Sequence, residues 1–121
     1  MPSNNKSKKD SNIVVNYLYR DAENWKKSNC IIFTNFEKMT IPEIESRLTK
    51  TLFQGDGFIA EQVDFPKLNP YGDNWGEDDH CWHELSGVED TSEEADDELC
   101  RSITELLVSF ENAAKIGWNI Y

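Results

Sequence analysis

An apolar stripe near the C-terminus constrains the fold more than any other feature of this sequence. Its side chains recur with the spacing of one face of an α-helix, and Gly117 follows as a stop signal. Thr91, with Glu94 three residues later, is typical of a capping box, so the sequence predicts a helix that begins at Thr91. Such a helix is stabilised mainly by packing its stripe against another element. The stripe consists of Leu99, Ile103, Leu106, Leu107, Phe110 and Ala114.

Two segments near the N-terminus have the composition of β-strands. Residues 12–21, NIVVNYLYRD, alternate between two sets of side chains that are rich in β-branched and aromatic residues, and residues 30–36, CIIFTNF, form a second run of this kind. The polar residues 22–29 lie between them. The pattern predicts an antiparallel hairpin whose eight-residue loop carries Lys26 and Lys27.

A second helix and two further strands complete the predicted fold. Thr40 as N-cap, Pro42 in the first turn and Glu43 as the capping-box partner mark the start of that helix. Residues 58–66 and 80–87 resume strand-like patterning. The order β β α β β α, with mostly short connections, predicts an α+β fold in which a small, mainly antiparallel β-sheet has two helices packed on one face.

Length and composition indicate one domain. The chain has 121 residues, of which 1–12 are too polar to be buried, so we expect a disordered basic tail over 1–12 and a single α+β domain over 13–121. The sequence has no signal-like segment, no apolar run near membrane-spanning length and no CxxC pair among its three cysteines. These features predict a cytoplasmic protein with reduced thiols and no membrane partner.

The net charge of −11 is concentrated in the second half of the chain. Residues 1–54 carry nine Lys and Arg against six Asp and Glu, whereas residues 55–121 carry three against seventeen. Between Asp73 and Glu98 there are twelve carboxylates and no Lys or Arg. Because binding to duplex nucleic acid depends on many contacts from Lys and Arg to phosphates, this distribution argues against a duplex partner.

The stretch DDHCWHE, Asp78 to Glu84, contains both histidines of the chain and raises the question of a metal or catalytic site. In a strand, His83 lies on one face and His80 lies with Trp82 on the other, so the two histidines diverge and cannot easily share a metal ion. No nucleophile, phosphate-binding or dinucleotide motif is present. We therefore expect a protein without enzymatic activity, cofactor or metal, and keep a metal-dependent hydrolase centred on His80 and His83 as an alternative.

Five residues are candidates for binding an anionic ligand. Arg20 at the end of the first strand and Lys26 in the adjacent loop form a basic cluster, although an arginine in that position also commonly pairs with a carboxylate. Trp82 offers an aromatic surface for stacking or else belongs to the core, and His83 has ring nitrogens that can donate to a phosphate or ribose. Arg101 is one of only three cations in the second half of the chain.

Four sequence words, in this order and spacing, resemble the Thoeris anti-defence sponges, a family of small prokaryotic and phage proteins. They are YRDAENWK, FIAEQVDFPKL, DDHCWHE and AAKIGW, and the resemblance covers about residues 13–118. The resemblance implies a non-enzymatic homo-oligomer that sequesters a nucleotide-derived immune signal, a cyclic ADP-ribose isomer or, in some members, a cyclic oligonucleotide. It also implies that a phage-encoded member acts in the host cell cytoplasm.

The acidic second half supports a different function. A surface with this charge is typical of an acidic protein-interaction module that mimics nucleic acid and occupies a basic surface on another protein. The expected signature of such a complex is steep weakening with salt. This alternative stays beside small-ligand sequestration and the hydrolase.

Overall fold

The computed structural model describes residues 11–20, 26–68 and 82–118. These ranges contain four strands, two α-helices and one 3₁₀ turn. In chain order they are β1 (Asn12–Arg20), β2 (Lys26–Phe33), α1 (Ile41–Thr51), β3 (Gly57–Ile59), the 3₁₀ turn (Ala60–Val63), β4 (Trp82–Thr91) and α2 (Ile103–Ile116).

The strands form one antiparallel sheet in the order β2-β1-β4-β3. In β1 the side chains alternate between buried and half-buried, because odd-numbered residues face the helices and even-numbered residues face away. Both helices pack on the odd-numbered face, which confirms the predicted α+β fold. The shared core contains Ile13, Val15, Tyr17, Tyr19, Phe33, Ile44, Leu48, Phe58, Ile103, Leu106, Leu107 and Phe110.

Helix α1 begins where the sequence predicted. The hydroxyl of Thr40 accepts a hydrogen bond from the backbone N–H of Glu43, and the carboxylate of Glu43 accepts one from the backbone N–H of Thr40. The apolar face of α1 buries Ile44 and Leu48 completely. The capping box therefore fixes both the start of the helix and the face that reaches the core.

The predicted start of the C-terminal helix at Thr91 is wrong. Thr91 is the last residue of β4 and pairs with Asn12, and the helix begins only after Ser102, whose capping-box partner is Glu105. The Thr-x-x-Glu motif at Thr91 and Glu94 was misleading because the same motif also occurs where a strand ends and a turn follows. Leu99 consequently lies outside the helix and is 56% exposed.

The predicted eight-residue hairpin loop is also wrong. Strand β2 begins at Lys26, which pairs directly with Arg20, so Lys26 and Lys27 belong to the strand and only residues 21–25 connect β1 to β2. Those five residues lie outside the described ranges. Because β2 is an edge strand, its exposed first half tolerates lysines, and a low β-propensity did not prevent pairing.

The predicted strand over residues 58–66 is shorter than expected. Its ladder with β4 ends at Ile59, and residues 60–63 form the 3₁₀ turn, which stops at Asp64 in a left-handed conformation with φ 58°. The phenol of Tyr17 donates a hydrogen bond of 2.8 Å to the carbonyl of Pro66, which holds the following segment against the core.

Candidate functional site

Three of the five predicted binding residues lie on the face of the sheet that the helices leave uncovered. Arg20 and Lys26 are directly opposite each other in the β1–β2 ladder. Leu18 pairs with Glu84, so Trp82, two residues earlier in β4, shares a face with Arg20 and lies near the same end of the sheet. We refer to Arg20, Lys26, Glu84 and Trp82 as the open-face cluster.

Within the open-face cluster, Arg20 forms a two-point ion pair with Glu84. Arg20 Nε lies 3.2 Å from Glu84 Oε2, and Arg20 Nη2 lies 3.4 Å from Oε1. The side chains of Arg20 and Glu84 are 37% and 32% exposed. A pair at this exposure contributes little to stability, since solvent screens both charges, but its planar geometry holds both side chains in place.

Trp82 packs against the β3 edge of the sheet. Its ring stacks on Phe53, with centroids 4.6 Å apart and an interplanar angle of 19°. Gly57, the cross-strand partner of Glu84, makes this position possible, because a Cβ atom at residue 57 would come within 3.3 Å of Trp82 Cε3. The indole of Trp82 therefore lies beside Glu84 and over Gly57, which has no side chain.

The other two predicted binding residues are not in the open-face cluster. His83 faces the helices, is 1% exposed, and its Nε2 accepts a hydrogen bond of 3.0 Å from the backbone N–H of Leu68. Its ring lies 5.3 Å from the ring of Tyr19. These contacts tie the segment before residue 69 to the sheet.

Arg101 is buried in an ion pair with Asp97. Its Nε and Nη2 donate to the two carboxylate oxygens of Asp97 at 2.9 and 3.0 Å, and its Nη1 donates to the carbonyl of Val63 at 2.7 Å. The guanidinium carbon lies 5.7 Å from the ring centre of Phe33. These contacts join the turn before α2 to the 3₁₀ turn.

Three carboxyl groups of the described residues, Glu43, Asp97 and Glu111, have lowered pKa values that make stability depend on pH. Hydrogen bonds with the backbone and side chain of Thr40 lower the pKa of Glu43. Burial raises the pKa of Asp97, but hydrogen bonds from the side chain and backbone of Arg101 outweigh burial and hold this pKa below its ordinary value. Hydrogen bonds from Arg47 similarly lower the pKa of Glu111. A lowered folded-state pKa stabilises the fold above the unfolded-state pKa, and that stability is lost as the pH falls through the folded-state value.

We therefore expect the contribution of these groups to the free energy of unfolding to be constant between about pH 7 and 5 and to decline below about pH 4. Urea unfolding followed by circular dichroism at a series of pH values measures this profile. Asp97→Asn should flatten the acid decline while lowering stability at neutral pH. A protein that gains stability on acidification would contradict this account.

The segment between β4 and α2 covers the outer edge of β2 and is strongly acidic. Asp96 Oδ1 accepts a 2.7 Å hydrogen bond from the backbone N–H of Ile32, and the N–H of Asp96 donates to the carbonyl of Ile32 at 3.0 Å. The segment thus protects an edge that is otherwise open to other strands. A pocket of about 200 Å³ lies beside it, lined by Asn29, Cys30, Ile31, Asp64, Pro66, Asp96, Asp97 and Glu98.

The described residues offer no metal-binding group. Within 11–20, 26–68 and 82–118, no three or more His, Cys, Asp or Glu side chains are arranged to hold a metal ion. His80 and Cys81 lie outside these ranges. His83 contributes its Nε2 to the hydrogen bond with Leu68, so that nitrogen is engaged within the fold.

Sequence reasoning missed three side chains that define these arrangements. Glu84 pairs with Arg20, Phe53 supports Trp82, and Asp97 holds Arg101. The four-residue spacing from Asp97 to Arg101 indicates an ion pair only within a helix, whereas the structure joins these two residues in the turn before α2. Nothing local in the sequence marks Glu84 or Phe53, because their partners are brought close only by strand pairing and by the turn before β3.

Comparison with known proteins adds no relative. No protein-family model matches the sequence, and neither the curated proteins nor the solved structures give a match. In the described part of the chain, no helix combines the length and apolar character needed to cross a membrane.

Proposed function

We propose that this protein is a non-enzymatic, cytoplasmic homo-oligomer that binds and sequesters a small nucleotide-derived anion. The observation that carries the proposal is the open-face cluster, in which two cations, a carboxylate and an indole lie at one end of a half-exposed sheet face. A cyclic ADP-ribose isomer or a cyclic oligonucleotide carries the phosphates, ribose and base that such groups bind. Sequestration of an immune signal of this kind requires no catalytic residue.

Charge gives the cluster its preference for anions. Arg20 and Lys26 are cross-strand neighbours on one face, and like charges in this position repel each other. Glu84 balances one of them, whereas Lys27, which pairs with Tyr19, belongs to the other face of the sheet. A bound phosphate reduces the repulsion and gains charge-assisted hydrogen bonds.

Oligomerisation supplies what one subunit lacks. Formed by the described residues alone, the open-face cluster is a surface, whereas tight binding of a small ligand usually buries most of the ligand. A second copy of the chain, placed against this face, provides further walls around the ligand. Sedimentation with and without ligand tests this element of the proposal, and a strictly monomeric complex would contradict it.

The first experiment is a thermal-shift screen with ADP-ribose, its cyclic isomers and cyclic oligonucleotides. A ligand that binds only the folded state raises the melting temperature in proportion to the logarithm of its concentration once it is in excess. Absence of a shift with every one of these compounds at millimolar concentration would reject the proposed function.

Arg20→Ala is expected to weaken binding of the nucleotide found in that screen by roughly ten- to a hundred-fold, because it removes a charge-assisted hydrogen bond. Arg47→Ala is the matched control, since Arg47 forms a similarly exposed pair with Glu111 on the helical side of the molecule. Calorimetry measures both affinities, and circular dichroism confirms that each variant is folded. Equal losses in the two variants would refute a specific role for Arg20.

The acidic segment favours a second candidate function, an acidic protein-interaction module. Glu93, Glu94, Asp96 and Glu98 are all exposed along the segment that covers β2, where backbone hydrogen bonds hold it in place. A complex with a basic protein surface through this segment must weaken as salt increases. Pull-down from lysate at low and high salt distinguishes it from nucleotide binding at the open-face cluster.

A further inference from the structure

We infer that Glu84 selects the sugar of the ligand by accepting hydrogen bonds from the vicinal hydroxyls of a ribose. The inference rests on the proposed function, because it assigns a role within the open-face cluster. It goes further by narrowing the ligand to a ribonucleotide with an unmodified diol, which excludes cyclic oligonucleotides because their phosphodiester bonds occupy a 2′- or 3′-oxygen of each ribose. It also names the residue that distinguishes this ligand from deoxy and 2′-phosphorylated analogues.

Glu84 has the acceptor capacity for this role. An ionised carboxylate has about four lone-pair sites on its two oxygens. Each oxygen of Glu84 accepts one hydrogen bond from Arg20, and the side chain is 32% exposed. A ligand on the open face can therefore approach both oxygens without displacing Arg20.

Glu84 lies between the cations and the indole, as the ribose lies between the phosphate and the base of a nucleotide. Arg20 contacts Glu84 on one side. On the other side is Gly57, its cross-strand partner, over which the ring of Trp82 lies. Adjacent strands are roughly 5 Å apart. Strand β4, which carries Glu84, lies between β1, which carries Arg20, and β3, over which the indole lies. A phosphate at Arg20 and Lys26 and a base at Trp82 place the ribose at Glu84.

The chemistry of a carboxylate discriminates among sugars. A vicinal diol donates one hydrogen bond to each carboxylate oxygen, the arrangement by which an acidic residue holds ribose in dinucleotide-binding domains. A 2′-deoxyribose lacks one of these donors, and a 2′-phosphate places negative charge against the carboxylate. Because Arg20 already fixes Glu84, little side-chain entropy is lost when the diol binds.

The test compares affinities for ADP, 2′-deoxy-ADP and adenosine 2′,5′-bisphosphate, measured by calorimetry on the full chain. Unmodified protein should prefer ADP over 2′-deoxy-ADP by about tenfold, and adenosine 2′,5′-bisphosphate should bind more weakly than ADP. In Glu84→Gln the preference for ADP over 2′-deoxy-ADP should shrink to about twofold or less. The ratio of affinities is the readout, since removing the charge of Glu84 also changes how strongly Arg20 attracts phosphate.

Glu111→Gln is the matched control, because Glu111 also pairs with an arginine but lies away from the open face. It should leave the preference unchanged. Equal binding of ADP and 2′-deoxy-ADP to unmodified protein, or an unchanged preference in Glu84→Gln, would overturn the role of Glu84 while the proposed function stands. Binding of none of the three compounds would also overturn the role of Glu84, whereas the proposed function is rejected only by the absence of a thermal shift with every compound of the screen described above. The comparison on unmodified protein decides the question even if Glu84→Gln does not fold.

Discussion

Replacing Arg101 by methionine is expected to lower the free energy of unfolding by roughly 3–5 kcal/mol, which is the usual cost of leaving one partner of a buried ion pair alone. Asp97 keeps only 3% of its side chain exposed and would lose both guanidinium hydrogen bonds. The carbonyl oxygens of Val63 and Asp64 would lose their donor as well. Urea unfolding at neutral pH measures the change.

The double variant Arg101→Met with Asp97→Leu separates charge from packing. It should recover part of the lost stability, because no unpaired charge remains, but not all of it, because the two carbonyl groups still lack a donor. Arg47→Met is the control on an exposed pair and should cost less than about 1 kcal/mol. If Arg101→Met is as stable as the control, the Asp97 pair is not structural and the sequence-based assignment of Arg101 to a ligand regains support.

The parts of the fold that were predictable are those with a local physical cause. Alternation in β1 and the capping box at Thr40 depend on neighbouring residues alone, and the structure reproduces both. The same holds for the apolar stripe of α2 from Ile103 to Phe110. In each case spacing along the chain decides which side chains reach the core.

The misplaced boundaries have a non-local cause. Thr91 remains in a strand because it pairs with Asn12, a residue far from it in the sequence. The following acidic segment is held by two hydrogen bonds between Asp96 and Ile32, one through the Asp96 carboxylate and one through its backbone N–H, and not by a helical ladder. Two Thr/Ser-x-x-Glu words compete as helix starts, and only Ser102 is followed immediately by the buried stripe. The apolar pattern in the sequence begins at Leu99, before Ser102, so it did not exclude Thr91 as the cap.

The candidate site was only partly predictable for a related reason. The alternation of side chains along a strand predicted that His83 and Trp82 lie on opposite faces, and the structure confirms this. Alternation alone does not predict which face the helices cover. The buried position of His83 follows from the packing of both helices on the face that carries Tyr17 and Tyr19. Nor did the sequence show that the helix-flanking Arg101 turns inwards to Asp97.

His83→Ala is expected to destabilise the protein by roughly 3–4 kcal/mol, through the loss of a fully buried ring and of the acceptor for a buried backbone donor. The imidazole packs near Tyr17, Tyr19 and Phe58, with ring centres 5.3–6.1 Å apart. Removing it leaves a cavity between the sheet and the helices and an unsatisfied N–H at Leu68. Thermal and urea unfolding measure the loss.

His83→Gln tests the hydrogen bond separately, because a glutamine amide oxygen can accept from Leu68 while the ring contacts are lost. It should therefore be more stable than His83→Ala. Ser86→Ala, an exposed position in the same strand, serves as the control and should change stability by no more than about 0.5 kcal/mol. A His83→Ala protein that unfolds like the unmodified chain but loses nucleotide binding would show that the histidine contacts the ligand. Loss of stability with nucleotide affinity retained below the melting transition would instead show that His83 is structural, as expected if the ligand binds the face of the sheet that the helices leave uncovered.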